Sequence, residues 1–290
     1  MTRHVSGQPS RSRRSLKRLP LYLGVLLISA IAVFPLLWSL AASLSPNEQV
    51  FANTFPFSWR ALIPVDFTLE AYEALFSERG FLRPIINTTV LGLITVFVGG
   101  LIAAMAGFAF ATFDFRFKNL LFIVVLLTFM VPPEVTIIPL YSMIDQAGWV
   151  NTWQALLLPG LANALIVFLF RQFFADVGPD LYDAGRVDGA GWFRIFFSIV
   201  LPISKPVLIA AGLVLFLSVW EQFLWPLVVA PRPEFRMIQV AISLSIGQYQ
   251  VLWNQLMAGA MIAALIPILL ILPFQKYYIS GLAGTGSKEG

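Results

Sequence analysis

Long apolar stretches alternate with short polar ones along the chain, at roughly 19–42, 84–112, 119–142, 152–174, 206–230 and 257–280. A helix needs about 20 mostly apolar residues, at about 1.5 Å rise each, to cross a bilayer. The pattern therefore predicts an all-α membrane protein with six transmembrane helices. Around these spans the chain divides into a basic tail (1–18), a first helix with an outer segment (19–83), a five-helix core (84–280) carrying a polar loop at 175–205, and a closing tail (281–290). The run after "RSRRSLKR" is longer than a secretory signal core, so it reads as a retained anchor.

Several positions break the apolar regularity. Gly99, Ala103, Gly107 and Ala111 recur every four residues in the second span. They predict a smooth face on which another helix packs closely, within the chain rather than at a subunit interface. In the third span, "VPPEVTIIPLY" places Pro132 and Pro133 beside Glu134 about 20 Å from the inner edge. Such breaks are tolerated at depth where the freed backbone faces protein or a water-filled cavity. The fifth span carries Glu221 and Gln222 in "VWEQFLWPL". An acidic residue inside a span faces either a structural partner or a solute pathway, and both readings fit Glu134 and Glu221.

In the outer segment, Pro46, Pro56 and Pro64 favour turns, and "TLEAYEALF" predicts a short helix capped by Thr68. In the polar loop, Pro179 opens a helix whose first turns hold Asp180 and Asp183, and Gly189 permits a turn after Asp188. "WFRIFFSIV" then forms an apolar helix that Pro202 ends. Asp183 and Arg186 stand three apart, so the two either pair with each other or serve a docking surface.

Composition narrows the function. With 58% hydrophobic and 12% charged residues, the chain is made for lipid. It has no cysteine and a single histidine, His4, which leaves no disulfide, thiol chemistry or Cys/His metal site. A P-loop needs Lys after Gly, and no Gly-Lys pair occurs, so the chain is no ATPase and carries no cofactor motif. The net charge of +4 reports topology rather than affinity for nucleic acid. With the amino terminus inside, 14 of the 19 Lys and Arg fall on inner segments. The outer five are Arg60, Arg79, Arg83, Arg232 and Arg236. This is the positive-inside pattern, with both termini cytoplasmic and Trp149, Trp153, Trp225 and Trp253 near the outer interface.

The order of residues in the polar loop goes further. Asp183-Ala184-Gly185, Arg186, Val187, Asp188-Gly189-Ala190 and later Leu201-Pro202 resemble the cytoplasmic loop of permease subunits of binding-protein-dependent ABC importers. Within that family the chain looks most like the maltose-transporter-type second permease of the carbohydrate branch. "FTLEAY", "NTTVLG", "PPEVTIIPLY", "NTWQALLLP", "FLFRQFF", "WEQFLWPL" and "QKYYISGL" extend the resemblance over nearly the whole chain. The family's usual Glu is here the shorter Asp183, its second Ala is Gly185, and the ending "GLAGTGSKEG" departs from the usual tail.

The resemblance implies a type I ABC importer permease fold in a bacterial or archaeal cell membrane. It also implies a second, non-identical permease, two ATP-binding subunits and an extracytoplasmic solute-binding protein as partners. Asp183, Ala184, Gly185, Arg186, Asp188, Gly189 and Ala190 would form the helix that couples to the ATPase. Pro132, Pro133, Glu134, Glu221 and Gln222 are candidates for the translocation pathway of a sugar or sugar-derived solute. A stand-alone secondary transporter is the alternative that broken spans and buried acids allow, although no self-similar halves are visible.

Overall fold

The structure, a computed structural model, describes residues 11–247 and 251–283, with side chains for 20–247 and 251–274. His4, the first ten residues of the basic tail and the last seven of the closing tail lie outside the described residues.

The described chain is helical, with no β-ladder beyond one isolated bridge between Ile246 and Val251. The helices are α1 (Arg11–Ser43), α2 (Glu70–Ser77), α3 (Leu82–Thr112), α4 (Lys118–Met130), α5 (Pro133–Gln146), α6 (Trp153–Leu161) and α7 (Ala164–Ala175). They continue as α8 (Pro179–Val187), α9 (Trp192–Ile203), α10 (Lys205–Trp220), α11 (Leu224–Val229), α12 (Ile238–Ser243) and α13 (Trp253–Ala283).

By length and composition, Pro20–Ser43, Leu82–Thr112, Trp153–Ala175 and Trp253–Phe274 can each cross a membrane. Six crossings result when the bent pairs α4–α5 (100°) and α9–α10 (82°) each count as one. The third expected span is sharply bent at Val131 and Pro132, in keeping with the break expected there, since two successive prolines remove donors and disfavour helix before them. The expected fifth span is corrected. The fifth stops at Trp220 instead of running to residue 230. Pro226 has no N–H for the Gln222 carbonyl four residues back, and its ring crowds that carbonyl, so a separate short helix α11 follows.

The chain forms two compact units. One comprises the residues up to Ala74 with Ile246–Met261. Its α1 is almost bare, with Leu26 at 68% and Ile28 at 69% exposed. The outer segment beyond α1 folds as short 3₁₀ turns at Asn47–Gln49 and Trp59–Leu62, tied by Thr68 N–H to Leu44 O (2.9 Å) and by Ser43 Oγ to Tyr72 OH (2.8 Å). The Thr68 hydroxyl accepts from Glu70 N (3.1 Å), capping α2.

The other unit comprises Leu75–Ser245 with the residues from Ile262 onward. Its core is the packing of α3 on α7, made close by the glycine stripe. A Cβ on Gly107 would stand 2.6 Å from Phe170 Cβ and 2.9 Å from Arg171 N. One on Gly99 would stand 3.1 Å from Leu161 O. The stripe thus packs within the chain. At the start of α3, the "NTT" motif ties down the loop ahead of α12. Asn87 Nδ2 donates to Glu234 O (2.9 Å) and Arg236 O (3.0 Å), and Thr88 Oγ1 accepts from Ile238 N (2.9 Å).

Candidate functional site

Besides the π-turn at Phe196–Val200 and the bend at Ser204, four interruptions of helical backbone stand out among the described residues of this larger unit, each with a local setting. In α3, residues Thr95–Gly99 widen into a π-turn, an irregularity frequent at functional positions. Between α4 and α5 stand Pro132 and Pro133. Between α6 and α7, Ala162 and Asn163 are extended, and Asn163 Oδ1 accepts from Ile166 N (3.2 Å) as the cap of α7. After α10, Glu221 to Phe223 leave the helix.

All four interruptions border one cavity of about 770 Å³, within the range of small-molecule sites. Its lining includes Thr95, Pro133, Glu134, Thr136, Asn163, Ser218, Glu221, Gln222 and Trp225. Glu134 and Glu221, far apart in sequence, thus face the same space. Of the five pathway candidates Pro132 alone does not line it, serving as the cap residue ahead of α5.

Two tryptophans hold the Glu221 break in place by a shared device. Pro159 lies within α6 and cannot donate to Ala155 O, and Trp225 Nε1 donates to that carbonyl instead (3.0 Å). Pro267 likewise leaves Ala263 O without its helical donor, and Trp220 Nε1 supplies one (2.9 Å). Trp225 is a half-buried ring beside the cavity whose indole N–H is engaged within the chain. The Trp220 carbonyl, at the end of α10, accepts from Gln239 Nε2 (3.1 Å).

The polar loop is a second assembly. Pro179 occupies the first turn of α8 with Asp180 beside it, and Gly189 takes φ +76°, the left-handed conformation its turn requires. Asp183, Ala184, Arg186, Asp188 and Gly189 are exposed and Ala190 is half-buried, whereas Gly185 faces inward. A Cβ there would meet Ile195 and Ile199 at 3.2 Å, which is why α8 lies so close on α9. Arg186 sits over the Trp192 ring, 5.3 Å from its centroid, and no ion pair with Asp183 occurs among the described residues.

Phe108 of α3 anchors this loop. Its ring lies 5.9 Å from Phe174, 5.9 Å from Tyr182, 6.3 Å from Trp192 and 5.3 Å from Phe196. Tyr182 OH donates to Phe174 O (3.3 Å), and burial pushes the Tyr182 phenol above its ordinary value of 10.0. The nearby Thr112 side chain works against that rise without forming a well-aligned hydrogen bond.

Sequence reasoning missed Thr95, Asn163 and Ser218 as cavity residues. The signal for Asn163 was present, since "LPGLANA" sets Pro159, Gly160 and a good cap residue inside an apolar run. The π-turn at Thr95 has no comparable mark.

A family model described as the binding-protein-dependent transport system inner membrane component matches residues 97–280. The chain belongs to this family. It is 32% identical over 269 residues to the arabinooligosaccharides transport system permease protein AraQ of Halalkalibacterium halodurans, covering 92% of this chain and 95% of that one. It is 33% identical to the sn-glycerol-3-phosphate transport system permease protein UgpE of Brucella melitensis, over 91% and 94% of the two chains. In fold it matches a chain of a bacterial ABC transporter involved in import of the acidic polysaccharide alginate. That match has a TM-score of 0.78 and 19% identity, over 94% of this chain and 99% of that one. The permease is a multi-pass membrane protein of a transport family, not of an enzyme family. ABC importer permeases as a kind work with a second permease, ATPases and a solute-binding protein.

Proposed function

We propose that this permease forms half of the solute pathway of an ATP-driven importer for a sugar or sugar-derived solute. The observation that carries this reading is the convergence of four helix interruptions on one cavity, whose largely apolar wall carries a few polar and acidic side chains. Broken backbone at membrane depth is stable only where it is covered by protein or lines water, and discontinuous helices commonly frame solute sites. The second permease would supply the facing half, and a solute-binding protein would deliver the cargo from outside.

The permease has no ATP site in its sequence, so its motion must arrive by contact. The loop offers the means. Asp183 and Asp188 are exposed beside Val187 (87% exposed) and Phe193 (73% exposed), giving an acidic and apolar surface for an ATPase cleft. The packing of Phe108 against this loop would pass a displacement of α8 into α3, whose π-turn borders the cavity. The excess of basic residues on the segments that include this loop favours a cytoplasmic loop and cytoplasmic termini, in a bacterial or archaeal cell membrane.

The test is co-expression with the partner permease, the ATPase and the binding protein. Asp183→Arg is expected to leave the permease pair inserted, to release the ATPase during purification and to reduce ATP-driven uptake at least tenfold. Normal assembly and uptake would remove the contact assigned to Asp183. Uptake that continues without any ATPase subunit would favour a stand-alone transporter.

A further inference from the structure

The chemistry of the cavity wall points to a solute class, an inference that rests on the pathway reading above. We propose that the cavity selects against anions, so that the cargo is an uncharged or amino-bearing polyhydroxylated molecule rather than a sugar phosphate or a uronate.

Charge is the first observation. The lining carries two acidic side chains, Glu134 and Glu221, contributed by two different helix interruptions. It carries no Lys, Arg or His among the described residues. An anion entering this half would approach both acids with no cation from this chain to offset them, in surroundings where charges act more strongly than in water.

Hydrogen-bonding capacity is the second, and it is independent of charge. The Thr136 hydroxyl donates to Pro133 O (2.8 Å) and the Ser218 hydroxyl to Leu215 O (2.9 Å). Their protons are engaged by their own helices, and what they have left to offer is oxygen lone pairs. The acids likewise add acceptors. Among the polar side chains named, free donors come from the amides of Asn163, whose oxygen is held by Ile166 N, and Gln222, with the Thr95 hydroxyl as one more, still fewer than the acceptor sites of two carboxylates and the engaged hydroxyls. A wall richer in acceptors than donors suits solutes that bring hydroxyl or ammonium protons, whereas phosphate and carboxylate groups bring acceptors alone.

Two longer helices, α5 and α7, start at the cavity and would welcome an anion; at α7 the Asn163 side chain already takes Ile166 N (3.2 Å), and the start of α5 is answered more fully. Pro132 and Pro133 have no N–H, Val135 N donates to Pro132 O (3.1 Å), and Glu134 places its own acid in the first turn.

The absence of cysteine from this chain makes the field measurable. In the purified complex with its partner subunits made cysteine-free, Ser218→Cys places one thiol on the cavity wall. Its rates with a cationic and an anionic methanethiosulfonate of similar size are compared with those of a short peptide thiol. The expected result is a cationic preference at least tenfold above the peptide's, reduced severalfold when Glu134→Gln and Glu221→Gln are added. In parallel, the binding protein is screened with a neutral oligosaccharide, an amino sugar, sn-glycerol 3-phosphate and a uronate, and the bound probe is followed in ATP-driven uptake. An equal or faster anionic reagent, or ATP-driven import of the phosphate or the uronate, overturns the inference while the importer reading stands. Uptake that needs no ATPase strikes the importer reading instead, and the reagent ratio still decides the charge preference.

Discussion

Gly107 and Phe108, adjacent in α3, have opposite duties, and each gives a prediction. Gly107 is a gap that the backbone of α7 fills. Gly107→Ala would put a methyl 2.6 Å from Phe170 Cβ and 2.9 Å from a backbone nitrogen, neither of which can rotate away. Overpacking of this kind costs about 1–3 kcal/mol, so the thermal midpoint in detergent should fall clearly. Gly160→Ala, whose Cβ meets nothing within 4 Å, should leave that midpoint nearly unchanged. Phe108 is the opposite, a ring surrounded by Phe113 (5.8 Å) and the four aromatic neighbours described above. Phe108→Ala should cost about 3–5 kcal/mol and expose the α8 loop to protease before the rest of the unit opens. Tyr182 adds a pH dependence. Its phenol is raised by burial, so its contribution is complete below pH 10 and lost as pH rises beyond it. Tyr182→Phe should therefore flatten the stability profile above pH 10 relative to the parent. The close approach at Gly107 was legible in the four-residue stripe, because helix geometry alone places those positions on one face. The inward turn of Gly185 was not, because a nine-residue helix with both charged and apolar sides does not reveal which side its neighbour takes.

At the scale of elements, the breaks matter more than the helices they separate, and the two Trp–Pro devices explain why they stay fixed. Trp220→Phe would leave Ala263 O, already deprived of its helical donor by Pro267, without a partner in an apolar interior. The cost of such a group is about 1–3 kcal/mol. Pro267→Ala restores a donor at that position, so in the Trp220→Phe background it should recover part of the loss, whereas alone it should gain little. A double-mutant cycle on thermal midpoints reads the coupling directly. Additive changes would show that the indole and the proline act separately. Trp225 with Pro159 should behave in the same way. Of the four breaks, the one at Pro132 and Pro133 stood plainly in the sequence, since consecutive prolines have few helical uses. The end of α10 was hidden by the mostly apolar run from Pro206 to Ala230, in which Glu221 and Gln222 read as polar residues within a span rather than as its break. Pro226 marks it once the i−4 carbonyl is considered.

The whole molecule is organised by the distribution of charge relative to its spans, and here the pattern in the chain leads to a test of orientation. Counting each bent pair as one crossing gives six, an even number, which would put both ends of the chain on one side. The segments expected inside hold 14 of 19 basic residues, and moving basic residues across a bilayer during insertion is what the positive-inside bias opposes. The α8–α9 turn should therefore be cytoplasmic and the 3₁₀ turn Pro233–Phe235, one crossing further along the chain, external. Both are exposed, and a chain without cysteine can report on each in turn. Asp188→Cys should react with a membrane-impermeant maleimide in inverted vesicles and stay unlabelled in intact cells. Glu234→Cys should do the reverse, and its backbone carbonyl would still accept from Asn87. Labelling of Asp188→Cys from outside would invert the whole arrangement. The loop would then face away from any ATPase, and the excess of basic residues would lie on the outer side, against the bias that predicts their place.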